Sequence, residues 1–146
     1  MEPRAIDADI TLIPYYPNEQ IALAWYQDAE LCRQVDGEAR PYALERLRAM
    51  YAFLCAHGKC YYIQYCGRLV GDVTLRDDGE IAIVVCREYQ NRGVGRRCVR
   101  DMIALARESG MDEVRANIYA FNEQSKRMFR ALGFEKTGDE WYTYRV

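Results

Sequence analysis

Apolar and polar positions fall into three regimes along the chain. Ile10 to Ile13 is a short apolar run that reads as a strand, closed by Pro14 and Pro17, which break regular structure. Helical spacing follows. Asn18 is placed to cap a segment carrying Ile21, Ala22, Ala24 and Trp25, and Pro41 to Ala56 brings Leu44, Leu47, Tyr51 and Leu54 to one side at a period of about 3.6. Between them, Asp28 to Gly37 reads as a short helical segment and a turn.

From His57-Gly58 the period changes to two. Strands are predicted at Cys60 to Tyr65 and Leu69 to Leu75, joined at Cys66-Gly67, with a second hairpin at Asp77-Asp78-Gly79. Glu80 to Cys86 is almost continuously apolar, as expected of a strand at the centre of a sheet with both faces covered. After the loop Arg87 to Arg92 a helix opens at Gly93 to Gly95 and runs to Ser109. Its apolar side is Val94, Val99, Met102, Ile103 and Ala106, and Gly110 stops it. Glu113 to Tyr119 alternates like a strand. Asn122 caps a helix with Met128, Phe129 and Leu132 inward, Gly133-Phe134 ends it, and Glu135 to Val146 reads as a hairpin around Gly138-Asp139. The order is strand, two or three helices, three strands, helix, strand, helix, two strands. It predicts an α/β (α+β) mixed sheet with helices on both faces.

The length of 146 residues, half of them apolar, supports one core, so residues 1–146 are expected to form a single domain. Twenty basic residues are interspersed with 22 acidic ones for a net charge of −2, which argues against nucleic acid as a partner. Arg92, Arg96, Arg97 and Arg100 form a local exception of the right size for one polyphosphate. The six cysteines make no C-x-x-C pair and read as reduced, buried thiols of a cytoplasmic protein, with no metal-ligand spacing. Met1 to Asp9 has no apolar signal-peptide core and no run approaches the roughly 18 residues of a membrane span, so no membrane partner is expected.

The informative stretch is Gln90-Asn91-Arg92-Gly93-Val94-Gly95-Arg96-Arg97, between the apolar strand and the amphipathic helix. Two glycines let backbone N–H groups turn toward an anion, and the helix start adds roughly half a positive charge. No G-x-x-x-x-G-K-[ST] occurs, and Cys98 stands where a dinucleotide loop has its third glycine. The glycines also come after several hairpins, late for a dinucleotide fold.

This stretch resembles the Q/R-x-x-G-x-G/A loop of the GNAT superfamily of acetyl-CoA-dependent N-acetyltransferases. Asn122-x-x-Ser125-x-x-x-Phe129-x-x-x-Gly133-Phe134 is similar to that superfamily's following Asn…Tyr…Gly-Phe segment, and Ile10 to Val146 follows its element order. The resemblance implies a mostly antiparallel sheet of about six to seven strands whose central strands splay apart. It implies acetyl-CoA as acetyl donor, with Gln90, Asn91, Arg92, Gly93, Val94, Gly95, Arg96 and Arg97 around the diphosphate. Val84, Val85 and Cys86 would then run beside the pantetheine arm and Asn122 beside its thiol end, with Ser125 and Phe129 also binding the cofactor. The acceptor is expected to be an amine-bearing small molecule or protein, and a homodimer is left open.

The chemistry sets its own demands. An alkyl ammonium with a pKa of about 10 must lose a proton before attack, and the thioester oxygen needs a donor, for which the Val85 amide is a candidate. Glu80 either serves as the base, directly or through water, or is a solvated carboxylate beside a turn. Phe129 stands where many relatives carry a tyrosine assigned to protonating the leaving thiolate. Tyr119, or one of Tyr142 and Tyr144 on the tail, would have to replace it. Trp25…Asp28-Ala29-Glu30-Leu31 resembles a Trp-x-x-Asp-x-Glu segment of some aminoglycoside and ribosomal-protein acetyltransferases, whose acids would suit a cationic acceptor. The alternative function is a non-catalytic CoA-binding module; a longer acyl chain is a third.

Overall fold

The computed structural model, which covers residues 1–146, turns these regimes into eight strands and five α-helices. In chain order they are β1 (Arg4–Ala5), β2 (Ile10–Pro14), α1 (Glu19–Tyr26), α2 (Ala29–Asp36), α3 (Leu44–Ala56), β3 (Gly58–Tyr65), β4 (Arg68–Arg76) and β5 (Ile81–Val85). A 3-10 turn at Arg87–Tyr89 leads to α4 (Val94–Glu108), β6 (Glu113–Asn117), α5 (Glu123–Ala131), β7 (Glu135–Lys136) and β8 (Trp141–Arg145). Two of the strands, β1 and β7, are two residues each and bring the count above the six or seven expected. No helix is long and apolar enough to cross a membrane.

The strands form an antiparallel sheet in the order β1-β2-β3-β4-β5 and a second sheet in the order β6-β8-β7. A single parallel bridge between Glu80 and Arg115 joins them, with the Arg115 N–H donating to the Gly79 carbonyl at 3.0 Å. Beyond it β6 pairs only with β8, and Ile118 N–H turns to the Glu140 carbonyl at 2.8 Å. The central strands therefore splay, as expected.

Side-chain alternation along the strands separates two apolar clusters, one on each face. Tyr61, Ile63, Val73 and Ile81 pack with Val99, Met102 and Ile103 of α4 and with Phe129 and Phe134. Cys60, Tyr62 and Val84 pack with Trp25, Tyr26, Leu31, Leu47 and Tyr51 from α1, α2 and α3. Three expectations need correction. The third helix starts at Leu44 and not at Pro41, because buried Tyr42 donates its N–H to the Tyr26 carbonyl at 2.9 Å and packs its ring tilted against that of Tyr26, which keeps the segment extended. β5 is not covered on both faces, since Ile83 and Val85 stay partly open along a groove. Cys32, Cys60 and Cys98 are buried thiols, but Cys55 and Cys66 are exposed, one on the outer side of α3 and one in a hairpin turn.

Candidate active site

The ladder decides which backbone groups of β5 are free. Cys86 N–H donates to the Val70 carbonyl at 2.8 Å, and Arg76 N–H to the Glu80 carbonyl at 2.8 Å, so even-numbered positions of β5 turn their polar groups to β4. Ile81, Ile83 and Val85 then direct theirs into the gap beside β6. The Val85 carbonyl accepts Gln90 Nε2 at 2.8 Å. Of the three residues expected along the pantetheine arm, only Val85 offers its amide to the gap; Val84 and Cys86 are committed to β4, and Ile83 takes their place at the edge.

The next segment presents a concave run of donors. Asn91 (φ +62°) and Gly93 (φ +77°) are both left-handed, alternating with residues that are not, a pattern that turns successive N–H groups to one side. No N–H from Asn91 to Arg96 donates to the protein; the first bond of α4 is Arg97 N–H to the Gly93 carbonyl at 3.2 Å. These donors sit at the positive end of a 15-residue helix. A Cβ at Gly95 would lie 3.7 Å from Met128 Cε, 3.8 Å from Ile83 Cδ1 and 4.0 Å from Val85 Cγ2. The fold itself would tolerate a side chain there, and glycine leaves the floor of the groove open.

That groove, of about 460 Å³, is walled by Tyr89 and Arg96 on one side and by Arg127, Met128 and Ala131 of α5 on the other. Arg97 does not line it: its guanidinium pairs with Asp7 at 2.9 Å and Asp9 at 3.5 Å, clipping the β1–β2 turn to α4. Arg92 lies 5.2 Å from the Tyr89 ring centroid, beside the groove. An arc of free amides flanked by guanidinium groups, continued by a strand edge, fits the diphosphate and pantetheine portions of CoA.

The groove opens into a second cavity of about 420 Å³, sharing Ile83, Val85, Gln90, Gln124 and Ser125 with it. Here the walls are β5, β6 and α2, so the space lies in the splay between the sheets. Glu80 lines its closed end and accepts Arg76 Nη1 at 3.0 Å. Tyr119 lines the cavity and stacks on Phe121 at 5.8 Å. Burial first, then the carboxylates of Asp36, Glu140 and Glu38, push its phenol above the usual range, so it keeps its proton at neutral pH. Tyr142 is buried in the core and Tyr144 packs on Phe134 at 5.5 Å, so neither reaches this space. Phe129 contributes a ring edge-on to Phe134 at 4.9 Å, and Asn122 caps α5 by accepting Ser125 N–H at 3.1 Å; both line the cavity.

The acids expected to attract a cationic acceptor are occupied elsewhere. Asp28 accepts the N–H groups of Glu30 and Leu31 as the cap of α2 and pairs with Arg87 at 2.6 Å, while Glu30 pairs with Arg33 at 2.7 Å. Burial opposes ionisation of Asp28, yet the Arg87 bond and the backbone donors hold it below the usual carboxylate range. Sequence reasoning missed Gln34 and Val35 of α2, Asn117, Trp141, Arg127 and Met128, all of which line the two cavities. Leu31, Gln34 and Val35 do stand at i, i+3 and i+4, the spacing that puts them on one helix face.

Comparison with known proteins agrees with this geometry. A solved domain from Methanocaldococcus jannaschii DSM 2661 is similar with a TM-score of 0.84 at 21% identity, over 96% of this chain and 100% of that one. RimL, a ribosomal alpha-N-protein acetyltransferase solved in complex with coenzyme A, gives a TM-score of 0.80 at 14% identity over 99% of this chain and 98% of its own. Both likenesses show the fold. N-acetyltransferase family 8 member 3 of Mus musculus is 24% identical over 103 residues, 63% of this chain and 46% of that protein. The chain spans about half the length of the curated relatives it matches. The model of the acetyltransferase (GNAT) family matches residues 22–134, most of the sequence, and the chain belongs to that family.

Proposed function

We propose that residues 1–146 form one N-acetyltransferase domain that moves an acetyl group from acetyl-CoA to a primary amine of a small molecule or protein. The observation that carries this is the run of free amides from Asn91 to Arg96, joined by one continuous cavity to the outward edge of β5. Acetyl-CoA, when bound, supplies an acetyl group already activated as a thioester. The amides of the loop, with Arg96 and Arg127, hold the diphosphate by charge-assisted hydrogen bonds. Ile83 and Val85 align the arm along the gap, and the Val85 N–H donates to the thioester oxygen as negative charge grows there. Tyr119, which retains its proton, gives it to the departing sulfur in place of the absent tyrosine at Phe129, and regains one through water from the nitrogen, which sheds its second proton as the amide forms. Glu80 takes the proton of the ammonium, directly or through water, while Arg76 holds its carboxylate in the wall.

Six free thiols suit a cytoplasmic, reducing setting. The test is thiol release from acetyl-CoA across a panel of amines that includes alkyl amines and a peptide α-amine. Amine-dependent release above the hydrolytic background is expected for at least one member. Binding of CoA with no such release would leave only the non-catalytic module.

A further inference from the structure

α2 forms one wall of the second cavity through Leu31, Gln34 and Val35, yet it belongs to neither sheet, and its buried side chains Leu31 and Cys32 face the aromatic cluster behind it. The apolar side of this wall packs in the same cluster as Val84 of β5, but polar ties across the cavity are few. The Asp28–Arg87 pair at 2.6 Å and Arg33, 4.3 Å from the Phe121 ring centroid, lie at the solvent-exposed rim, where such contacts hold position weakly. Inside the groove there is one further tie. Gln90 Nε2 donates one hydrogen to the Val85 carbonyl at 2.8 Å and the other to Gln34 Oε1 at 3.0 Å. Both hydrogens of one nitrogen are thus engaged, one on the strand edge that faces the gap and one on the helix across it. Gln90 is also one of the residues common to the two cavities.

We propose that Gln90 is a positioning residue: its carboxamide sets how far α2 stands from the outward edge of β5, and so the width of the space the amine enters. This rests on the reading of that space as the place where acetyl-CoA and amine meet. The arrangement requires a donor of two hydrogens at position 90 and an acceptor at position 34. An arginine at 90 or a glutamate at 34 keeps the tie, whereas leucine at either position removes it with little change in bulk.

Hydrogen exchange of the free protein reads the tie without any ligand. Amides of Ala29–Asp36 should exchange about fivefold faster in Gln90→Leu and in Gln34→Leu, as expected for loss of one net hydrogen bond. Gln90→Arg and Gln34→Glu should stay near wild type. The double leucine variant should exchange no faster than either single one, because both remove the same interaction. With an amine that the wild type acetylates, Gln34→Leu should raise the KM for the amine more than the KM for acetyl-CoA. Unchanged exchange in the single leucine variants, or losses that add in the double variant, would overturn the proposal. A wild type that acetylates no amine would instead sink the enzymatic reading, and the exchange data would still decide the role of Gln90.

Discussion

Asp72, in the middle of β4, is 2% exposed and receives two phenol hydrogens on one oxygen, from Tyr26 of α1 at 2.7 Å and Tyr51 of α3 at 2.8 Å. Burial raises its pKa to about 6, and the two hydrogen bonds only partly offset that. No cation faces it, so the pair of tyrosines is what keeps the charged form tolerable and also what pins two helices to the strand. The sign of the pH effect follows. The folded state binds this proton more tightly than the unfolded chain, so stability falls as pH rises from the unfolded value near 3.8 to the folded value of about 6, then levels off. Asp72→Asn removes this dependence. Urea denaturation of both proteins should show the difference shifting in favour of asparagine by about 2 kcal/mol between about pH 4 and pH 7. Parallel curves across that window would mean that folding does not raise the pKa of Asp72.

At the scale of the element, β5 is two strands in one. Its even positions hold the sheet together through β4, while Ile83 and Val85 direct their amides into the gap. Sequence alone marks this segment as apolar and central, but which residues face the gap depends on the register with β4 and on the departure of β6, neither of which leaves a local trace. The same holds for the acceptor wall: α2 was legible as a short helix, whereas Gln34 becomes meaningful only because Gln90, 56 residues later, reaches it. Proline substitution separates the two roles of β5, since proline removes one N–H from the backbone. Val84→Pro takes a ladder bond from the β4–β5 pair and should cost about 3 kcal/mol or more, read as a large fall in Tm. Val85→Pro removes an amide that β4 does not use. It should keep the greater part of the Tm and lower kcat by about a hundredfold, the loss expected for one donor to a developing oxyanion. A Val85→Pro enzyme that melts like Val84→Pro would contradict the register argument.

At the scale of the whole molecule, the two sheets share one bridge, and the groove draws its walls from both sides of that joint: Ile83, Val85 and Arg96 belong to the β5–α4 side, Arg127 and Met128 to α5. The anion loop was readable in sequence because its determinants are contiguous, and the Gly-Phe stop of α5 for the same reason. Arg127 was not, because it meets the loop only once α5 lies along the groove. A ligand that spans the joint binds the folded chain and not the unfolded one. CoA at about a hundred times its Kd should therefore add about 2.7 kcal/mol of stability, a Tm rise of roughly 5–10 °C for a domain of this size. Because the chain carries a net charge of −2, an anionic ligand gains nothing from the protein as a whole, and its attraction must come from the arginines at the groove. Such partly exposed charges are screened within about 10 Å at 0.1 M salt. The CoA-induced rise in Tm, measured at fixed CoA concentration, should shrink as salt is raised from about 0.05 M to about 0.5 M, while the Tm of the free protein moves less. A rise that is indifferent to salt would place the binding energy on the pantetheine arm and take the diphosphate away from Arg96 and Arg127.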